Sequence, residues 1–350
     1  MIMVIMLHYS LNYEINTLYL LWFLEMGCPI FFVASGFGIM CLINSKYEGK
    51  IERSNIVSFY LSRFKALAPA WYTTIILVYI ANTVSLKLTG STLPFGTNRD
   101  GLSILCNALF IHGLLPFCNN DVVLGGWYIG TTAVLYVLTP AIHRIICKVR
   151  NRRVFATISS FLVIGIWCIW YYLFRDAFTD SGFGYYIFLI HYPEYLLGIL
   201  LYYDFKESPD TVQIRWYPAL SIIFLIIAIA LYINLPLFWH SIPVAWMTGL
   251  STYFGLYYML ITEKDKKPGH LSSLMEGFGR NSYCIFLLHG FFVFPFTNWA
   301  LSVLNKISTP VIISFFILIP LILSLSYYAG CLFNKLIRKC RLLFTSRQKA

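Results

Sequence analysis

The chain is 350 residues long, 59% hydrophobic and only 12% charged, with a formal net charge of +11. A soluble domain is normally about a quarter charged; with apolar stretches recurring from end to end and a mean hydropathy of +0.70, the bilayer is the solvent for most of this sequence. The positive balance does not point to nucleic acid, because Lys and Arg of a polytopic membrane protein gather in the loops on one side.

The opening stretch "MIMVIMLHYSLNYEIN" (1–16) starts as a membrane helix should and stops at His8. A helix needs about 20 apolar residues to span, so the expectation is a truncated first span whose natural start precedes Met1. A short helix that only dips into the membrane is the alternative. Further spans are expected at roughly 18–44, 66–86, 124–147, 154–174, 183–203, 214–233, 242–262, 277–300 and 310–333. The weaker stretch 102–118 is settled by charge: if it crossed, "HRIICKVRNRR" (143–153) would lie outside. If it is re-entrant or interfacial on the outer side, 22 of the 26 Lys and Arg fall in the inner segments 44–65, 144–153, 204–215, 263–280 and 334–350. The fold expected is therefore all-α, a polytopic transmembrane helix bundle of about ten spans. Residues 1–334 form its transmembrane domain and 335–350 a basic cytoplasmic tail, in the cytoplasmic (inner) membrane with both termini inside.

Nine cysteines are scattered without a C-x-x-C or a Cys/His zinc spacing, so no metal is expected. Cys106 and Cys118 are placed to meet on the outer side.

Ionisable groups inside spans cost a few kcal/mol each and usually face the bundle interior or a water-filled cavity. Here they are His8, Glu25, His191, Glu194 and His289. At 1.5 Å per residue, Glu25 lies ~10 Å and Glu194 ~16 Å below the outer ends of their helices, and His289 ~18 Å above the inner end of its own. Opposite-running helices thus bring imidazoles and carboxylates to one zone, with a hydrogen-bonded core role open for each histidine taken singly. On the inner side, "SFYLSRFKALAPAW" (58–71) sets Arg63 and Lys65 ahead of Pro69, which is read as lying near a helix start; the pair either holds that end inside or docks phosphates. "FFVASGFGIM" (31–40) offers small residues for close helix packing and, in Ser35, a hydroxyl. Trp127 and Tyr128 in "GGWYIG" (125–130) suit an aromatic belt or a sugar-stacking surface.

Together these stretches resemble the acyltransferase 3 family of integral membrane enzymes. The resemblance covers nearly the whole chain and keeps the family's order. It runs through His8 in "IMLHYS", "FFVASGF" (31–37), the basic loop "FYLSRFKALAPAW", "GGWYIGTTAVLYVLTP" (125–140), similar to the family's W-x8-Y-x3-P span, and "FGRNSYCIFLLHGFF" (278–292), similar to its G-x-x-S-Y-x-x-Y-L-x-H span. Three departures stand out. The family's arginine eleven residues before the first histidine would precede Met1, the second arginine of its basic loop is Ala66 here, and a glutamate common in relatives is Thr132.

The resemblance implies an acyl-CoA donor, most often acetyl-CoA, reaching in from the cytoplasm, and a hydroxyl of a free, lipid-linked or polymeric carbohydrate as acceptor. Arg63 and Lys65 would take the donor's phosphates, and Trp127 and Tyr128 the acceptor. An imidazole, with its ordinary pKa of ~6.5, is suited to take the hydroxyl proton. His8 is the base expected, oriented by Glu25 or Glu194, while Ser35, Tyr283 or His289 would donate to the oxyanion. A covalent acyl-enzyme on His8 or Ser35 is the other route. The "FWHSIP" loop (238–243) and the outer stretch 87–123 are expected to shape the acceptor cleft. Rival classes are a proton-coupled transporter, disfavoured by the lack of inverted repeats, and a scaffold subunit of a polysaccharide-assembly complex; a homo-oligomer is left open.

Overall fold

The computed structural model describes residues 1–13, 23–93, 100–115, 122–178, 186–207, 214–235, 240–263, 269–306 and 308–347. These residues are helical, with no strand among them. In chain order the helices are α1 (Ile2–Ser10), α2 (Gly27–Tyr47), α3 (Ile56–Thr89), α4 (Gly101–Ala108), α5 (Gly126–Ile146), α6 (Arg152–Phe178), α7 (Phe188–Glu207), α8 (Tyr217–Asn234), α9 (Ala245–Thr262), α10 (His270–Phe291), α11 (Thr297–Lys306) and α12 (Val311–Arg347). Cys118 and the start of the 238–243 loop lie outside the described residues, as does part of 87–123.

Among the described residues seven segments are long and apolar enough to cross a membrane, against the ten or so expected: α2 with the turn before it, α3, α5, α6, α8, α10 continued into α11, and α12. Two expected spans, 183–203 and 242–262, form α7 and α9 but are too polar to qualify. The reason is position. α7 packs against α2, α5, α6 and α9, and most of its residues, His191 and Glu194 included, are buried. A helix enclosed by protein need not match lipid. α1 has only nine residues, about 14 Å of helix.

α2 and α7 cross in backbone contact. A Cβ on Gly36 would lie 2.1 Å from the Tyr195 carbonyl oxygen, and one on Gly198 would lie 2.0 Å from that of Val33. Only hydrogen side chains allow this approach, the small-residue logic of membrane helix pairs. α4, at about 12 Å, is too short to cross and is tied back into the bundle: Trp71 Nε1 and Tyr72 Oη of α3 donate to the Asn107 and Ala108 carbonyls at 2.9 and 2.8 Å. The turn after it seats His112 on Trp71 and lets Gly113 meet Gly130 of α5 backbone to backbone.

One boundary differs from expectation. Pro69 is not near a helix start: α3 begins thirteen residues earlier at Ile56 and runs through it. The proline removes one donor, the one that would meet the Lys65 carbonyl, which a 34-residue helix tolerates. α12 passes through 334–335 unbroken to Arg347, so the basic end of the chain is a continuation of the last span. At that basic end of the bundle Arg153 pairs with Asp204 at 3.2 Å, Arg152 with Glu207, and Lys206 donates to Asn44 at 2.8 Å.

Candidate active site

A cavity of about 380 Å³ lies between α2, α3, α5 and α10, within the size range of small-molecule sites. Helical periodicity makes its walls. On α2, Phe31, Ala34, Ser35 and Gly38 recur at i, i+3, i+4 and i+7 on one face, while Gly36 on another face is spent on α7. α5 contributes Tyr128, Thr132 and Tyr136 as an i, i+4, i+8 stripe, and α10 contributes Ser282, Tyr283 and Phe286.

One end carries the positive charge. Arg63 lines the cavity with its guanidinium 5.8 Å from the Tyr136 ring centroid. Lys65, expected beside it, is exposed and outside the lining. Residues two apart on a helix do not face the same way, so only one of the two can look inward.

Beyond Tyr136 the wall carries hydroxyls. Ser35 Oγ and Tyr128 Oη are 3.0 Å apart, both on the cavity wall. Tyr136 interacts with both Arg63 and Ser35, so the guanidinium and the hydroxyl pair belong to one continuous polar wall.

Just past Phe286, one turn further along α10, lies His289. Its Nδ1 is 2.5 Å from the Phe286 carbonyl oxygen and its Nε2 is 2.7 Å from Nδ1 of His8. A carbonyl only accepts, so Nδ1 of His289 carries the proton and its Nε2 accepts from Nδ1–H of His8. The neutral pair therefore leaves Nε2 of His8 with its lone pair, in the form a general base requires. His289 is fully buried and His8 half-buried. α1 is held there by Asn12 Nδ2, which donates to the Val293 carbonyl at 3.0 Å, and by Tyr9 Oη to that of Phe315 at 2.8 Å. Val293 belongs to a π-helical turn, Phe292–Phe296, built around Pro295.

The other predicted residues go elsewhere or take other duties. The group that orients His8 is an imidazole where a carboxylate was expected. Glu194 is buried beside His191, 3.9 Å away and one turn along on α7, and Gly249 of α9 packs on its stem. Glu25 sits in the turn before α2, within electrostatic reach of Tyr232 on α8. Tyr283 lines the cavity but gives its hydroxyl to the Leu67 carbonyl at 2.9 Å, and His289 is committed between His8 and Phe286. Ser35 is thus the one expected oxyanion donor whose hydroxyl stands on the cavity wall beside another hydroxyl. Trp127 is only 6% exposed, its ring stacked against Tyr186 and His191; it is neither a belt residue nor an open sugar platform.

The family model described as an acyltransferase domain matches residues 1–331. The chain belongs to the acyltransferase 3 family. It is a multi-pass membrane acyltransferase. No curated protein and no solved structure matches it. In this acyltransferase the five stretches that carried the resemblance converge: α1 brings His8, α2 Ser35, α3 Arg63, α5 Tyr128, and α10 Tyr283 and His289. Two aromatic residues of the wall are motif positions in their own right. Tyr136 is the tyrosine of the W-x8-Y-x3-P span, and Phe286 stands where the last motif has a tyrosine.

Proposed function

We propose that this acyltransferase moves an acyl group, most often acetyl, from cytoplasmic acyl-CoA to a hydroxyl of a cell-surface saccharide. The observation that carries the reading is the His8–His289–Phe286 chain of hydrogen bonds next to a cavity that Phe286 and Arg63 both line. The strong bias of Lys and Arg toward the Arg63 side of the chain supports a cytoplasmic position for that side. There a guanidinium suits phosphate oxygens. The donor's flexible arm, roughly 15–20 Å long and so about half the hydrocarbon thickness, is long enough to carry the thioester from Arg63 past Tyr136 to the Ser35–Tyr128 pair.

In this mechanism the acceptor oxygen attacks the thioester carbonyl carbon while its proton passes to Nε2 of His8. The carbonyl oxygen, now an oxyanion, takes hydrogen bonds from Ser35 and Tyr128. His289 shares the charge of the imidazolium, its own Nδ1–H backed by the Phe286 carbonyl. Collapse breaks the C–S bond, and the leaving thiolate recovers the proton from His8. The products are an ester and a free thiol.

The decisive experiment supplies acetyl-CoA to purified protein in liposomes that contain the native surface saccharide, and weighs the saccharide. A gain of about 42 Da per modified hydroxyl, acetyl replacing hydrogen in the transfer, is expected from the wild type and not from His8→Ala at equal protein level. Saccharide carried across the liposome wall with no acyl lost from the donor would overturn the reading.

A further inference from the structure

We propose that Arg341, at the basic end of α12, is the second cation of the donor site and grips the donor nucleotide's phosphates together with Arg63. The inference rests on the acyl-CoA reading given above. Arg341 lies beyond residues 1–331 that carry the family match, yet its Nη2 donates to the Ala66 carbonyl at 3.0 Å across 275 residues of sequence. Ala66 follows Arg63 by three positions, one turn along the same face of α3. The next residue, Leu67, lines the cavity and accepts the hydrogen bond from Tyr283, another lining residue. Arg341 also acts electrostatically on Tyr283 and Cys284, and Arg338, three residues back on α12, acts on Cys284. Arg63 on the cavity wall and Arg341 on the Ala66 backbone thus reach the same stretch of α3 from two helices.

The side chain at position 66 is a methyl group, so α3 itself supplies no cation one turn above Arg63. Lys65 cannot fill the gap because it faces away. α12 delivers a guanidinium to that spot. Arginine's planar fork matches phosphate bidentately, and a coenzyme A donor presents both a diphosphate and a separate phosphate on its ribose. Two forks at one stretch of α3 match that pair better than one.

The test measures coenzyme A binding to the purified full-length protein by calorimetry, with dephospho-coenzyme A as second probe. Arg63→Ala and Arg341→Ala are each expected to weaken coenzyme A binding by about tenfold, the scale of one charge-assisted contact. Ala66→Arg placed in the Arg341→Ala background is expected to restore it. Arg341→Lys is expected to fall between, since an ammonium keeps the charge and loses the fork. Dephospho-coenzyme A is expected to distinguish the variants less than coenzyme A does. Unchanged binding in Arg341→Ala, with binding weakened in Arg63→Ala, overturns the role of Arg341 and leaves the donor reading standing. Loss of binding that Ala66→Arg fails to restore, accompanied by a matching drop in thermal stability, makes Arg341 a strut and also overturns it. A wild-type protein that binds no coenzyme A overturns the donor reading itself, and this inference with it.

Discussion

His8 and His289 are 281 residues apart in the chain and 2.7 Å apart in space, ring stacked near ring at a centroid separation of 5.0 Å. The contact ties the first described helix to α10 and fixes which nitrogen of His8 is free to accept a proton. His8→Ala is expected to lower the transfer rate by roughly 10²–10⁴, the usual contribution of a positioned general base. His289→Leu removes the acceptor for Nδ1–H without touching Nε2. It is expected to lower kcat while leaving the KM for the donor near its wild-type value. Single-turnover and steady-state rates on the purified variants check both; a fall in donor affinity alone would mean that His289 serves binding.

Ser35 and Tyr128 face each other across 3.0 Å on the cavity wall. Ser35→Ala and Tyr128→Phe are each expected to cost on the order of 10²–10³ in kcat, as for other oxyanion donors. The double variant is expected to cost less than the product, because each hydroxyl orders the other. A strictly multiplicative double variant, measured by the same transfer assay, would rule out that they act as a pair.

Gly36 and Gly38 stand two residues apart and give opposite expectations. A methyl on Gly36 would overlap the Tyr195 carbonyl, whereas a Cβ on Gly38 meets nothing within 4 Å. Gly36→Ala is expected to abolish well-folded protein in detergent, read by size-exclusion profile and thermal unfolding. Gly38→Ala is expected to fold normally. A monodisperse Gly36→Ala protein of wild-type stability would show that α2 and α7 do not cross as described.

Glu194 is buried beside His191 and is not among the cavity-lining residues. Glu194→Gln, which keeps the shape, is expected to retain transfer within about threefold of wild type, as for a site separate from the reacting groups. Glu194→Ala opens a hole under Gly249 and is expected to lower the unfolding temperature. A collapse of kcat in Glu194→Gln with unchanged stability would return the carboxylate to the chemistry.

The long apolar helices were legible because hydropathy reports directly on lipid contact; α5 and α8 fall within three residues of the expected ends. α7 and α9 were found as helices, but their polarity only makes sense once they are seen enclosed. The start of α3 was missed because Pro69 reads as a boundary in sequence, while a long packed helix absorbs the loss of one hydrogen bond. Within the site, side-chain type located His8, Ser35, Arg63 and His289. Pairing was not legible: depth arithmetic placed Glu25, Glu194 and His289 in one zone around His8, and only rotation about each helix axis decides which of them meets it. Arg341 carried no signal at all, since a basic end after a last span has an ordinary topogenic explanation.

The glycine contact between α2 and α7 has one more consequence. Two backbones that touch without intervening side chains can tilt together but cannot ratchet past one another by a turn, because each glycine is keyed to the other helix's carbonyl. Ser35 is therefore locked at a set height against α7, and any opening that admits or releases a ligand has to come from the other walls, α3, α5 or α10, swinging away from this fixed post.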